Sequence, residues 1–395
     1  MNKSLIVIDD DPQFAELLGE IARSAGFAST ICNDAREYFD DAQNYQVMVL
    51  DLNMPSMDGV EVIRRLGKSG VRVHLILVSG YDSGVLHSAQ KLAEEHRLNI
   101  VGSLTKPLQV ADFVNMLGEI NIDDDGVHHQ VESNESPITV DEIRQGILNQ
   151  QLVLYYQPQI ELSNNALKGV EALVRWQHPT RGLVPPGMFI DIAEKNGLMG
   201  ELTAKVIDMA VSQSNEWKQQ GFNITISVNV SAENITSLTL PDHLTDLINE
   251  QGLDPKSIVL EITESALMGE LKTSLDILTR LRMKGFGLSI DDFGTGNSSL
   301  VLLHRIPFTE LKIDMSFVRY MDKDVDAFAI VETCVMLAHK LRLDVVAEGV
   351  ENKKIRNSLR EMGCDIGQGY EIAKPMPADE IAKWVLEHKI REIHH

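Results

Sequence analysis

Cysteine is scarce in this chain, and what there is does not cluster. Cys32, Cys334 and Cys364 are widely spaced and odd in number. No CxxC pair or other zinc-type spacing is present, so neither a disulfide framework nor a structural zinc site is expected, and reduced thiols in the cytosol are the reading. Long apolar runs are missing too. None approaches the roughly 18 residues that a membrane-spanning helix needs. The first run, Leu5-Ile6-Val7-Ile8, gives way at once to Asp9-Asp10-Asp11; it is too short for a signal peptide, and no small-residue cleavage site follows. Basic residues are in deficit. Against 58 Asp and Glu stand 36 Lys and Arg, a formal net charge of −22, which argues against binding DNA or an anionic membrane surface. A cytoplasmic protein is expected. A phosphate-bearing substrate stays open, because bound divalent cations reverse the local sign of a site built from carboxylates.

What is present is an ordinary globular composition, 44% hydrophobic and 24% charged over 395 residues. That length predicts two or three domains rather than one core. Up to about residue 122, short apolar strands alternate with helical patterns: Leu5–Ile8, Val47–Leu50, Leu75–Val78 and Ile100–Leu104 as strands, with helices at Gln13–Ala25, Val60–Leu66, Val85–Glu95 and Val110–Leu117. That alternation predicts an α/β domain with a doubly wound, flavodoxin-like parallel sheet. The polar, aperiodic stretch 123–137 reads as a linker. From 138 to 390 the alternation restarts. Strand candidates are Leu152–Ile160, Leu167–Val174, Ile224–Val230, Ile258–Thr263, Gly287–Asp291, Leu311–Asp314, Asp344–Glu348 and Ile366–Glu371. Eight strands over about 250 residues is the size of a (β/α)8 barrel, with an open α/β sheet as the alternative.

Two constellations carry chemistry. In the first domain Asp9 and Asp10 follow the first strand, Asp51 ends Val47–Leu50, Ser79 closes Leu75–Val78, and Lys106 follows the last strand. Ligands of open α/β sheets bind at strand C-termini. Three carboxylates there suit one Mg2+, and the hydroxyl and ammonium suit a phosphoryl group on Asp51. In the second domain, alternation along each strand turns one polar side chain inward. Ile226, Val228 and Val230 form one face, and Thr225, Ser227 and Asn229 the other. Glu261 alternates with Leu260 and Ile262, and Ser289 and Asp291 with Leu288 and Ile290. Lys312 and Asp314 alternate with Leu311 and Ile313. Glu171, Glu348 and Gln368 occupy matching places. Burying Glu171, Glu261, Asp291, Asp292 and Glu348 together is tolerable only if cations or protons neutralise them. Oxygen ligands without His or Cys favour Mg2+ or Mn2+, and two such ions sharing Asp291 fit phosphodiester hydrolysis. Lys312 would position or deprotonate the attacking water, with its pKa lowered by nearby cations. A plain ion pair between Lys312 and Asp314 is the bland alternative.

Two resemblances follow. Asp51-Leu52-Asn53-Met54-Pro55-Ser56-Met57-Asp58-Gly59 and Lys106-Pro107 resemble the receiver domain of two-component response regulators. That resemblance implies phosphorylation of Asp51 by a cognate sensor histidine kinase or phosphotransfer protein, one ion held by Asp9 and Asp10 with Asp51, and phosphoryl contacts from Ser79 and Lys106. The aromatic residue this family often carries three positions before the lysine is replaced by Ser103. Glu171-Ala172-Leu173-Val174-Arg175-Trp176 resembles the namesake motif of the EAL family of cyclic di-GMP phosphodiesterases. Tyr156-Gln157-Pro158, Asn229-Val230-Ser231, Glu261-Ile262-Thr263-Glu264, Asp291-Asp292-Phe293-Gly294-Thr295-Gly296, Lys312-Ile313-Asp314, Glu348-Gly349-Val350-Glu351 and Gln368-Gly369-Tyr370 follow in family order. This resemblance implies a modified TIM barrel with an antiparallel first strand, and hydrolysis of cyclic di-GMP to linear pGpG with two Mg2+ or Mn2+ ions. Carried over, Glu171, Asn229, Glu261 and Asp291 bind one metal; Asp291 and Asp292 bind the other, which Glu348 reaches through water. Lys312, Glu171, Glu348 and Gln368 form the catalytic group. Arg175, Asp314 and Gln368 contact substrate, and Glu264 braces the loop Phe293–Ser298. Asn297 stands where the family commonly has an aromatic residue. A homo-oligomer, dimeric through the barrel, is expected, with catalysis as the only output. A barrel that binds the dinucleotide without cleaving it and signals to a protein partner is the second reading.

Overall fold

The computed structural model describes residues 3–40, 45–69, 71, 73–80, 83–96, 98–108, 110–120, 138–267, 271–295 and 300–393. The chain divides into two compact units, Met1–Ser136 and Pro137–His395. The stretch read as a linker, 123–137, lies outside the described residues.

The first unit is a five-stranded parallel sheet. Its strands are β1 (Lys3–Ile8), β2 (Phe27–Cys32), β3 (Val47–Asp51), β4 (His74–Ser79) and β5 (Asn99–Thr105), in the order β2-β1-β3-β4-β5. Every residue of β3 is buried. A central strand of a parallel sheet is covered on both faces and therefore reads as a continuous apolar run. β2 was not anticipated. It is an edge strand whose Ser29 and Thr30 reach partly or fully into solvent, so it shows no such run. The helix Pro12–Ser24 begins where Asp11 accepts hydrogen bonds from the backbone N–H groups of Gln13 and Phe14, with Pro12 in the first turn. It lays Ala15, Leu18, Gly19 and Ala22 against the sheet at spacings of three, one and three residues.

In the second unit eight strands close into a ring. They are β6 (Leu152–Glu161), β7 (Leu167–His178), β9 (Thr225–Asn229), β10 (Ile258–Thr263), β11 (Gly287–Phe293), β12 (Glu310–Ile313), β13 (Asp344–Ala347) and β14 (Ile366–Gln368). A short β8 (Gly182–Val184) flanks β7, and β15 (Met376–Pro377) flanks β6. Pairing of β6 with both β7 and β14 completes the circle and excludes the open sheet. β6 runs antiparallel to both neighbours, while β7 and the strands from β9 to β14 run parallel. Leu260, Ile262, Leu288, Ile290, Leu311, Ile313, Val345 and Ala347 are fully buried in the apolar core. Their alternation is what leaves the intervening polar residues facing the lumen.

Several strand ends differ from the sequence expectation; β7 runs on to His178 and β11 to Phe293. Asp314 is not in a strand; it caps the helix Met315–Val318, its carboxylate accepting from Ser316 N–H at 2.9 Å. Glu348 follows β13 rather than ending it. β14 stops at Gln368, not Glu371, and the next residue, Gly369, packs against the backbone of Val350 so closely that a Cβ would lie 2.3 Å from its N and O atoms.

Candidate functional site

In the first unit the strand ends bring the predicted group together. Asp9 and Asp51 are almost fully buried, 1% and 3% exposed, and Ser79 wholly so. Asp10 is exposed. One oxygen from each of Asp9, Asp10 and Asp51 falls within 4.8 Å of the others. Lys106 Nζ donates to Asp9 Oδ2 and Asp51 Oδ2, both at 2.8 Å. Burial works against that ammonium, yet the two carboxylates raise its pKa. Burial pushes the Asp9 carboxyl up despite the lysine. Sequence reasoning missed Phe14, whose ring lies 4.5 Å from Lys106 Nζ. Ser103 sits half-buried on β5, paired in register with Leu77.

In the barrel the predicted residues converge on Lys312, which is completely buried. Its Nζ lies 2.5 Å from Glu348 Oε1, 2.8 Å from Glu261 Oε2, 3.3 Å from Asp291 Oδ1 and 3.7 Å from Glu171 Oε2. The plain pairing with Asp314 is thus not what the lysine makes. Burial opposes the ammonium, but the four carboxylates outweigh it and hold its pKa well above the ordinary lysine range. The carboxylates respond unequally. Glu261 is pushed well up, by burial first and then by Glu171 and Asp291. Burial likewise lifts Glu348 to about 8. Glu171 stays low because Lys312, Gln368 and Asn229 together overcome its burial.

Asp292 shows how the backbone serves the site. Successive strand residues point to opposite faces, so Asp291 and Asp292 on a regular strand would diverge. Here the β11–β12 register shifts between Ile290 and Phe293, and Asp292 takes φ of 54°. A non-glycine residue in the left-handed region is strained by ~1–2 kcal/mol. The bend brings oxygens of Asp291, Asp292 and Glu348 within 4.8 Å of one another. Burial, followed by the charges of Asp291 and Asp314, raises Asp292 to about 6.

Asn229 is exposed at the mouth and donates through Nδ2 to Glu171 Oε1 at 2.8 Å. Arg175, four residues beyond Glu171, is half-buried over the Tyr155 ring at 5.7 Å. Glu264 is buried at the start of the helix Glu264–Leu267. Of the loop it was expected to brace, residues 296–299, Asn297 among them, lie outside the described residues. Gln368, 4% exposed, donates through Nε2 to Glu171 Oε2 at 2.5 Å and to Gln157 Oε1 at 3.2 Å. Gln157 and Gln159 were missed as site residues, although applying the alternation rule to β6 turns both inward.

Two features test whether divalent ions suit this group. The donors are all oxygens, and Glu261 Oε1 is buried without a hydrogen-bond partner. A buried carboxylate oxygen left bare is costly unless a cation meets it. The barrel residues therefore fit hard divalent cations.

The chain thus joins two classes of domain: a doubly wound parallel sheet with an acidic pocket at its strand ends, and a closed barrel with five carboxylates at its mouth. The EAL domain family model matches residues 140–375, and that of the response regulator receiver domain matches residues 5–118. Cyclic di-GMP phosphodiesterase RocR of Pseudomonas aeruginosa is 33% identical over 380 residues, covering 95% of this chain and 96% of that protein. The bifunctional diguanylate cyclase/cyclic di-GMP phosphodiesterase MucR of the same species is 42% identical over 241 residues, 61% of this chain but 35% of its own length. Among solved structures, the MucR phosphodiesterase in complex with c-di-GMP matches at 42% identity and a TM-score of 0.59, covering 61% of this chain and 98% of that one. The EAL enzyme Bd1971 matches at 30% identity and a TM-score of 0.60, covering 77% and 76%. The chain belongs to the EAL family and carries an N-terminal response regulator receiver domain.

Proposed function

We propose that this chain is a cyclic di-GMP phosphodiesterase that opens one phosphodiester bond to give linear pGpG, under control of phosphorylation at Asp51. The observation that carries the reading is the cage of Glu171, Glu261, Asp291 and Glu348 around a wholly buried Lys312 at the strand ends of an EAL barrel. Glu171, Asn229, Glu261 and Asp291 would hold one Mg2+ or Mn2+, and Asp291 and Asp292 a second, with Glu348 reaching it through water. When bound, such ions ready a water for attack and offset the phosphate charge. Lys312 already lies within hydrogen-bond reach of Glu348 and Glu261, so it holds a proton beside the place where that water would sit. Arg175 at the mouth offers a guanidinium to the substrate phosphate. Asp314 faces substrate beside Asp292, and Glu264 braces the loop after Phe293. Gln368 orients the water through its carboxamide oxygen.

In the receiver, residues 1–122, Asp9, Asp10 and Asp51 would hold one Mg2+. A cognate sensor histidine kinase or phosphotransfer protein supplies the phosphoryl group, which Ser79 and Lys106 contact. Residues 123–137 link it to the barrel, 138–390, through which the chain forms a homodimer in the cytoplasm. No helix among the described residues is long and apolar enough to cross a membrane. The test is incubation with cyclic di-GMP and Mn2+, with and without a small phosphodonor, followed by detection of pGpG. Turnover that stops on chelation and returns with Mn2+ supports the reading. Binding without turnover refutes it in favour of a receptor.

A further inference from the structure

We propose that Gln159 is a positioning residue, one that meets the Gln368 carboxamide oxygen and holds that amide in place with its amino end on Glu171. The inference deepens the phosphodiesterase reading and rests on it.

A side-chain amide is nearly symmetric in shape, so its sense must be imposed by its partners. Here the sense is imposed from Ala373. A backbone carbonyl only accepts, so Gln157 must turn Nε2 toward Ala373 O, 3.0 Å away. Gln157 therefore presents Oε1 to its other neighbour, and only a donor suits it. That donor is Gln368 Nε2, at 3.2 Å, which also donates to Glu171 Oε2 at 2.5 Å. With its amino end committed to two acceptors, Gln368 directs Oε1 at β6, where Gln159 Nε2 donates at 2.8 Å.

All four side chains are buried, with Gln159 3% exposed. Water is a poor substitute partner at such depth. The contacts follow from strand register. Gln159 is the direct cross-strand partner of Gln368 in the antiparallel β6–β14 pair, and Gln157 that of Glu171 in β6–β7. The single antiparallel strand of the barrel thus reaches both neighbours with alternate side chains. A reversed Gln368 would set its oxygen against a carboxylate and its amino group against another amino group. Gln159 ends this chain of contacts, and its donation to Gln368 Oε1 reinforces the sense that Gln157 and Glu171 set. It keeps a donor on Glu171 Oε2, so that Glu171 stays aimed at the site.

The experiment compares Gln159→Leu and the shape-preserving Gln159→Glu with wild type, alone and combined with Gln368→Ala. Thermal melting serves as the fold control, calorimetric titration with Mn2+ reports binding without turnover, and pGpG formation gives kcat and KM. The expected result is a kcat about tenfold lower or worse, with KM little changed, and Mn2+ bound about tenfold more weakly. In the Gln368→Ala background the Gln159 substitutions are expected to add less than about twofold, the non-additivity of residues acting through one another. Wild-type kcat and Mn2+ affinity in both single variants would overturn the proposal, as would a loss that multiplies fully in the double variants. If wild type forms no pGpG, the phosphodiesterase reading fails, while the Mn2+ titrations still decide the role of Gln159.

Discussion

Replacing Lys312 with methionine removes the cation from the barrel while keeping a side chain of similar length. Four carboxylates lie within 3.7 Å of that ammonium, and none of their side chains is more than 16% exposed. Deleting one partner of a buried ion pair costs ~3–5 kcal/mol, because the remaining charge is left uncompensated. For a unit of this size each kcal/mol moves the midpoint by ~2–4 °C, so the metal-free variant is expected to melt roughly 6–20 °C below wild type. The loss depends on pH. Glu348 already titrates near 8, whereas an unfolded glutamate titrates at about 4.3. Between those values the folded chain keeps a proton that the unfolded chain releases. Stability therefore falls as pH rises through that window, and without the ammonium the fall steepens. The deficit should be larger at pH 8 than at pH 6. Mn2+ at about 100 times its Kd should return ~2.7 kcal/mol. Trp176, Trp217 and Trp384 are the only tryptophans in the chain and all belong to the barrel unit, so tryptophan fluorescence during heating of the chelated full-length protein reports that unit alone. A variant that melts with wild type at pH 8 without metal would refute the caged-cation argument.

Glu171→Ala should lower pGpG formation about a hundredfold by removing an oxygen proposed to hold metal; unchanged turnover would remove Glu171 from the site. Asp51→Ala should leave basal hydrolysis intact and abolish any response to a small phosphodonor, and a lost basal rate would show that the receiver supports the barrel directly. Gly369→Ala should destabilise the barrel by ~3 kcal/mol or more in urea unfolding, since its methyl group would meet Val350 backbone atoms at 2.3 Å. The three cysteines are buried, and burial raises Cys364 to about 12 and Cys334 to about 11. At pH 8 a disulfide reagent should label neither in the native protein and all three after denaturation; as pH climbs from about 8.5 toward those values, thiolate formation favours the unfolded chain and stability falls. Rapid native labelling of Cys364 would contradict its burial.

Much of both sites could be read from alternation alone. Glu261 and Lys312 were assigned inward because their flanking residues are aliphatic, and Asp291 because it alternates with Leu288 and Ile290; all three are buried. The central strands of the first unit were visible for a different reason, as continuous apolar runs. Edge strand β2 escaped, because one face of FASTIC meets solvent and its pattern fades. Helix Val140–Leu148 escaped although Thr139 and Glu142 form a reciprocal capping box at its start; that signal was in the sequence and was not used. Asp314 was placed on a strand by extending the alternation one residue past the point where Ser316 draws its carboxylate into a cap.

By itself the sequence determined which residue types stand at the strand ends, and hence that the chain carries two acidic sites suited to phosphate chemistry. Periodicity is a local property and survives without coordinates. Only the tertiary structure decided what those residues meet. Lys312 rather than a distant partner gathers Glu171, Glu261, Asp291 and Glu348, because barrel closure brings separate strands to one axis. Asp292 joins Asp291 because a shifted register and a left-handed φ turn it around. Gln159 meets Gln368 across 209 residues of chain, since the one antiparallel strand seals the ring beside β14. Cross-strand register is set by how the whole sheet closes, and no local pattern encodes it.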